Sequence, residues 1–208
     1  MQKTILKAVR FHTRSLGRPR KLGVVAGSFN PPTIAHEELV YAAGFYVDEV
    51  LCVAPSILPH KEFFGATLQQ RLEMLHAALD EQAGPYSIAT SEQGLFIDIA
   101  RECREQYGAD TQLLFVCGRD AAERILAWDY GRPGVVEEML QEFELLVAAR
   151  GGDFSPPAEF QHRVHPLGLR MAHDQVSSTA VRERIARGEP WEHLVPAAIV
   201  ECVREVYS

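Results

Sequence analysis

The sequence predicts an α/β protein built on a doubly wound, Rossmann-like parallel sheet, with helices on both faces and a small C-terminal helical portion. Three observations predict it. Short apolar or β-branched runs alternate with segments of helical spacing along most of the chain. The runs are nearly continuous in hydrophobicity, as strands buried on both faces require. Segments of helical spacing separate successive runs, and such crossovers are right-handed, which winds helices onto both sides of one sheet.

Taken in order, the strands are predicted at 22–26 (LGVVA), 49–54, 87–90, 112–117 and 144–149, each with the apolar character of a central strand. Helical spacing covers 36–44, 68–82, 95–107, 121–127 and 135–143. The stretch 151–159 (GGDFSPPAE) is a turn-rich break. Beyond it a weak strand near 163–169 leads into two helices, with Pro196 suited to be the first residue of the last one, where its missing N–H costs nothing.

The chain has 208 residues, and at roughly 150 residues per domain this predicts a single domain with a proper core. Hydrophobic residues make up 47% and charged residues 24%, which excludes wholesale disorder and collagen-like repeats. No run of apolar residues is long enough for a membrane-spanning helix. A formal charge of −7 argues against a general nucleic-acid surface, while a compact anionic ligand can still sit in one basic pocket. Residues 1–21 hold seven basic side chains and no acid, and the remainder carries 14 basic against 28 acidic, a balance of −14. Such a start shares its composition with organelle transit peptides, but a solvated leader or an extra edge strand is the simpler reading. Because the sheet pattern and every motif begin at Leu22, residues 22–208 read as one domain to which the leader is dispensable. The four cysteines form no CxxC pair; Cys52 and Cys117 lie in apolar runs as small core residues, which fits a reducing cytoplasm. His12, His76, His162, His165, His173 and His193 have no metal-type partners at regular spacing, and Glu37–Glu38 and Glu137–Glu138 read as solvated helix faces. A homo-oligomer is compatible with this composition.

In a doubly wound sheet, ligands bind beyond the carboxyl ends of the strands, so the residues after each apolar run carry the functional reading. The first run leads into Gly27-Ser28-Phe29-Asn30-Pro31-Pro32-Thr33-Ile34-Ala35-His36 and then a helix. Gly27 allows close backbone approach, and two prolines set a rigid turn. Thr33 and His36, three apart at a helix entry, can both face one anion beside the free N–H groups; an ordinary joint with Thr33 as N-cap is the competing reading. Far along the chain, Val176-Ser177-Ser178-Thr179-Ala180-Val181-Arg182 puts three hydroxyls at a helix start and a guanidinium one turn in. That is an anion trap of N–H, O–H and charged donors, or else a plain N-cap with a surface arginine.

GSFNPPTIAH resembles the nucleotidyltransferase signature GxFxPxHxGH, in the GSFNP form of the nicotinate/nicotinamide mononucleotide adenylyltransferase family. VSSTAVR resembles that family's (I/V)SSTxxR position by position. Thr33 stands where many members have the first His, and Ala35 replaces a Gly. Weaker matches add to these: PSILPHK (Pro55 to Lys61) with a PxxxPxHK loop, Gln70 to Leu75 with an RxxMLxxA scaffold helix, Gly118-Arg119-Asp120 with GxD, Trp128 with a ring-stacking aromatic, and Leu194-Val195-Pro196 followed by the 200–207 helix with the C-terminal end. The resemblance covers roughly residues 22–207.

It implies an enzyme that transfers the adenylyl group of ATP to nicotinate or nicotinamide mononucleotide in NAD biosynthesis, releasing pyrophosphate. His36, Arg182 and Lys61 would be the catalytic groups. ATP would be held by Gly27, Ser28, Phe29 and Thr33 with His36, by Gly118 and Asp120, and by Ser177, Ser178, Thr179 and Arg182. The acceptor would meet Asn30, Lys61, Trp128 and Arg150. No protein-held metal site is implied; Mg²⁺ would travel on the ATP phosphates. Two departures fall on the acceptor side. The loop Ser91 to Phe96 is short and lacks the Tyr-Thr pair of bacterial nicotinate enzymes, and Ala149-Arg150-Gly151 stands where they have Arg-Pro-Gly. The alternatives are a sister transferase with another phosphorylated acceptor, such as phosphopantetheine or a ribityl phosphate, and a nucleotide-binding module without turnover.

Overall fold

The computed structural model describes residues 8–15, 17–56, 65–80, 84–149, 154–171 and 173–207. Among them, seven strands form one sheet: β1 (Arg10–Thr13), β2 (Lys21–Ala26), β3 (Glu49–Pro55), β4 (Tyr86–Ser91), β5 (Gln112–Gly118), β6 (Glu144–Ala148) and β7 (Val164–Leu167). Their order is β1-β4-β3-β2-β5-β6-β7. Every neighbouring pair is parallel except β1–β4. The order runs outward from β2 on one side and from β5 on the other, so the topological switch point lies between those two strands. The helices are α1 (Ile34–Ala43), α2 (Leu68–Leu79), α3 (Phe96–Tyr107), α4 (Arg119–Ala127), α5 (Val135–Glu142), α6 (Ser178–Arg187) and α7 (Val200–Tyr207).

Period-two alternation sends successive strand residues to opposite faces. On one face Val25, Cys52, Ile88, Leu114 and Leu146 pack with Leu39 and Val40 of α1 and Leu72 and Leu75 of α2. On the other, Val24, Leu51, Val53, Phe115 and Leu145 meet Ile99 and Cys103 of α3, Ala122 of α4 and Met139 of α5. Phe115 sits 4.5 Å from the Phe96 ring centroid and 4.7 Å from that of Phe143. Each such side chain contributes about 1.5–3 kcal/mol on full burial, and two covered faces explain why the strands read as continuous apolar runs. Burial pushes the thiols of Cys52, Cys103 and Cys117 up to about 12, so these are inert core side chains. The back of α2, through Met74 and Ala78, packs on Val181 of α6 and on Trp191, Leu194, Ile199 and Val203. This third cluster docks the C-terminal helices. α2 starts where it does because of a capping box: Thr67 Oγ1 accepts from the Gln70 N–H at 3.2 Å, and Gln70 Oε1 accepts from the Thr67 N–H at 2.9 Å.

Three expectations are changed or narrowed. Pro196 does not open a helix; with φ −55° and ψ 139° it precedes a 3-10 turn, Ala197–Ile199, that feeds α7 at Val200. The bend carries Ile199 into the third cluster. Within the basic leader, Arg10–Thr13 extends the sheet as β1 (residues 1–7 lie outside the described residues). Val9 is buried, Phe11 packs 5.8 Å from the Tyr107 ring, and Ser15 donates its N–H to Ser87 Oγ at 2.8 Å. Ser87 and Tyr107 in turn donate to Glu49 Oε1 at 2.6 and 2.7 Å, and that glutamate is buried.

Glu38 is the third. It is not on a solvated face but only 4% exposed, accepting from the Arg170 backbone N–H at 2.6 Å and from its guanidinium at 2.8 and 3.1 Å. The guanidinium also lies 3.3 Å from the Tyr41 ring centroid. Burial alone would raise the Glu38 carboxyl, but the hydrogen bonds and charge of Arg170 outweigh it and hold the group below the ordinary 4.5. A depressed folded value gives stability that is present above the ordinary value and lost as pH falls through the depressed one. Wild type should therefore exceed Glu38→Gln in denaturant stability at pH 7, and the gap should close as the pH is taken below 4. A gap that stays constant with pH would show that the pair adds no ionic stability.

Candidate active site

Beyond β2 the chain turns sharply. The Gly27 N–H donates to Val53 O at 3.0 Å, carrying the β2–β3 pairing one residue past the strand. Phe29 then takes φ +47°, uncommon for a bulky residue. That conformation turns its ring inward, where it is fully buried, 3.4 Å from where a Cβ on Gly27 would lie and with its centroid 5.1 Å from the His36 ring. What Phe29 has to offer a ligand is therefore backbone, not ring. The Asn30–Pro31 bond is cis, and Thr33 caps α1.

Thr33 is fully buried, and its N–H donates to His36 Nδ1 at 3.1 Å, with Thr33 Oγ1 2.8 Å from the same nitrogen. His36 thus occupies the place that Glu or Gln takes in a capping box. A backbone N–H can only donate, so Nδ1 is the acceptor and the ring proton resides on Nε2. The expectation that Thr33 and His36 act side by side on an anion becomes something more specific: Thr33 orients the imidazole as a neutral Nε2–H donor.

Three carbonyls of the loop are held from elsewhere in the chain. Arg71 of α2 donates to Ser28 O at 2.7 Å, Arg182 of α6 donates to Asn30 O, and Ser178 Oγ donates to Pro31 O at 2.7 Å. Ser177 caps α6 by accepting from the Ala180 N–H at 3.0 Å, and Thr179 Oγ1 lies 3.4 Å from Arg182. The two signatures expected to work together are therefore in direct contact, and the N-termini of α1 and α6 meet at one loop. Each helix start carries partial positive charge and N–H groups suited to phosphate. Ser177 and Thr179 are exposed, while Ser178 and Arg182 are half-buried.

The GxD element follows the other switch-point strand. Gly118 is the N-cap of α4, and Asp120 is exposed in its first turn. Trp128 is the C-cap of α4 with half its surface open. Nearby a cavity of about 210 Å³ runs between α3, α4 and α5, lined by Leu95, Phe96, Ile97, Arg124, Ile125 and Tyr130 among others. Arg124 is its one cationic lining residue among the described residues. Lys61 and Arg150 lie outside the described residues. Asn30, expected to meet the acceptor, is buried with its carboxamide Oδ1 accepting from the Tyr207 hydroxyl.

Sequence reasoning undervalued Arg71 and missed Tyr207. Arg71 lies on the buried stripe of α2 and is 3% exposed; burial pushes its guanidinium below its ordinary value, with the nearby Tyr207 opposing. An arginine among the apolar positions of an amphipathic helix was the available signal. Tyr207 follows Val200 and Val203 on the inward stripe of α7, but nothing local ties it to residue 30.

A sequence profile described as cytidylyltransferase-like matches residues 24–184. The chain belongs to the cytidylyltransferase-like family. As a member of this family it is a nucleotidyltransferase, and both signatures fall inside the matched span. A probable nicotinate-nucleotide adenylyltransferase of Moorella thermoacetica is 30% identical over 205 residues, covering 90% of each chain. Another from Carboxydothermus hydrogenoformans is 26% identical, covering 88% of this chain and 94% of its own. Among solved structures, the nicotinic acid mononucleotide adenylyltransferase of Plasmodium falciparum, complexed with NaAD, superposes with a TM-score of 0.71 at 15% identity over 89% of this chain and 95% of its own. At that identity the superposition speaks for the shared fold.

Proposed function

We propose that the protein transfers the adenylyl group of ATP to nicotinate mononucleotide, releasing pyrophosphate, in NAD biosynthesis, and that it also accepts nicotinamide mononucleotide. The observation that carries this reading is the direct contact of the two signatures, Arg182 on Asn30 O and Ser178 on Pro31 O, at the mouth of the switch-point crevice. The acceptor's phosphate is already ionised at neutral pH, so no general base is needed and catalysis rests on alignment and charge stabilisation. That phosphate attacks the α-phosphorus of ATP in line, and pyrophosphate leaves. His36 donates through Nε2 as negative charge moves toward the leaving phosphates. The α6 N-terminus binds the same charge through the Ser177 and Thr179 hydroxyls, the Ser178 backbone N–H and Arg182, and Lys61 adds a cation. Gly27, Ser28 and Gly118 bring backbone close to the nucleotide, and Asp120 meets it from α4. Among the described residues no three His, Cys, Asp or Glu side chains stand together as a metal-binding group. Mg²⁺ would travel on the ATP phosphates with water and would neutralise charge there. Free cysteines support a cytoplasmic setting.

Pyrophosphate release from ATP, measured with a panel of phosphorylated acceptors, tests the reading. Release with either pyridine mononucleotide supports it. Release only with phosphopantetheine or a ribityl phosphate, or with none, overturns it.

Acceptor discrimination should be weak. A site built to hydrogen-bond one polar group rejects an analogue lacking it by several orders of magnitude, and the Tyr-Thr pair is absent here. The half-open Trp128 ring would stack on either base. An aromatic contact contributes about 0.5–1.5 kcal/mol beyond its area, so Trp128→Ala should raise both acceptor KM values by about 3- to 10-fold. A wild-type kcat/KM ratio above roughly a thousand would require dedicated recognition groups and would point to Arg150, tested as Arg150→Ala.

A further inference from the structure

Tyr207 belongs to α7, yet its hydroxyl reaches the loop after β2 and donates to Asn30 Oδ1. The same asparagine offers its backbone carbonyl to Arg182. One buried residue is thus held at both its side chain and its main chain, by two helices from the far end of the sequence. The ring of Tyr207 fills a space cleared for it: Gly65 has φ +85°, and a Cβ there would come within 2.8 Å of the ring. Arg71 and Arg182 both act electrostatically on the phenol. Burial nevertheless pushes Tyr207 up to about 12, so the hydroxyl is a standing donor across the working pH range. Asn30 directly follows Phe29, which has positive φ, and its side chain and main chain are both engaged.

From this geometry we infer that Tyr207 is a positioning residue for nucleotide binding: through Asn30 it keeps the Ser28 to Pro31 loop in the form that Arg182 and the α1 N-terminus share. The inference rests on the adenylyltransferase reading and extends it to a residue of α7 to which no site role was assigned. Tyr207 touches no reacting atom. It sets ground-state and transition-state binding alike, so its loss shows in KM and Kd for ATP and hardly in kcat.

The experiment measures MgATP binding by titration calorimetry, and steady-state kinetics, for wild type, Tyr207→Phe, Asn30→Leu, Asn30→Asp and the Tyr207→Phe/Asn30→Leu pair. Tyr207→Phe keeps the ring against Gly65 and removes one hydrogen bond, worth about 0.5–1.5 kcal/mol net. The expected result is a 3- to 10-fold weaker ATP Kd and KM, kcat within twofold, and a melting shift of no more than about 6 °C. Asn30→Asp retains an oxygen acceptor for the hydroxyl and should lose less ATP affinity than Asn30→Leu. The double variant should bind no more weakly than Asn30→Leu alone, because the two residues act through one contact. Wild-type ATP affinity in Tyr207→Phe, or additive losses in the double variant, overturns the positioning role while leaving the transferase reading intact. Wild type that fails to bind ATP removes both. Should Tyr207→Phe fail to fold, the Asn30→Leu and Asn30→Asp comparison decides: equal losses in the two reject the hydroxyl acceptor as the relevant feature.

Discussion

His36→Ala is expected to lower kcat by about 10²–10³, the scale of removing one preorganised donor from developing negative charge, with the acceptor KM nearly unchanged. The Thr33 N–H fixes Nδ1 as acceptor, so the ring proton is carried on Nε2. The substitution also removes a helix cap and a ring packed 5.1 Å from Phe29, and a lost cap alone costs about 1 kcal/mol. His36→Gln separates these effects. Gln is a natural partner at this position of a capping box, so it should recover most of the stability and little of the turnover. Near-normal kcat in His36→Ala would make the imidazole a structural cap only.

Removal of residues 1–16 is expected to lower the melting temperature substantially, against the expectation from sequence that the leader is dispensable. Val9 is 2% exposed, and a fully buried valine contributes about 1.5–3 kcal/mol. The deletion also takes away the β1 pairing with β4, the Phe11 contact with Tyr107, and the Arg14 guanidinium 4.4 Å from the Phe11 ring centroid. Glu49, Ser87 and Tyr107 would then lose their cover. A total of about 3 kcal/mol or more corresponds to roughly 6–12 °C for a chain of this size. Turnover at low temperature should survive, because β1 lies at the sheet edge beyond β4 and β3, away from the crevice beside β2. An unchanged melting curve would reduce the leader to an accessory, and Phe11→Ala offers the milder version of the same measurement.

The central strands were legible because each is buried on both faces and so announces itself as a continuous apolar run; Glu49, Gln112 and Glu144 open β3, β5 and β6 as expected. The four residues of β1, RFHT, are half exposed at an edge and carry no comparable signal. α1 begins two residues before its expected start, at Ile34, because Thr33 and His36 supply a cap whose partner type is unusual. Both signatures were readable as local strings. Their supports were not: Glu38 finds Arg170 132 positions away, and Asn30 finds Tyr207 177 positions away. Periodicity reports which face of an element is buried, not which distant side chain it will meet.

The grip on the Ser28, Asn30 and Pro31 carbonyls has a consequence for how the molecule is made. Asn30 and Arg182 are separated by 152 positions. At about 5–20 residues per second, a ribosome needs roughly 8–30 s to travel from one to the other. Through that interval the nascent chain can pair β2, β3 and β4 through short crossovers, but the guanidinium and hydroxyl that close the turn do not yet exist. Long-range closures of this kind come late in folding. Nucleotide affinity should accordingly be the last property acquired, appearing after the far-ultraviolet circular dichroism signal when the denatured protein is diluted into buffer.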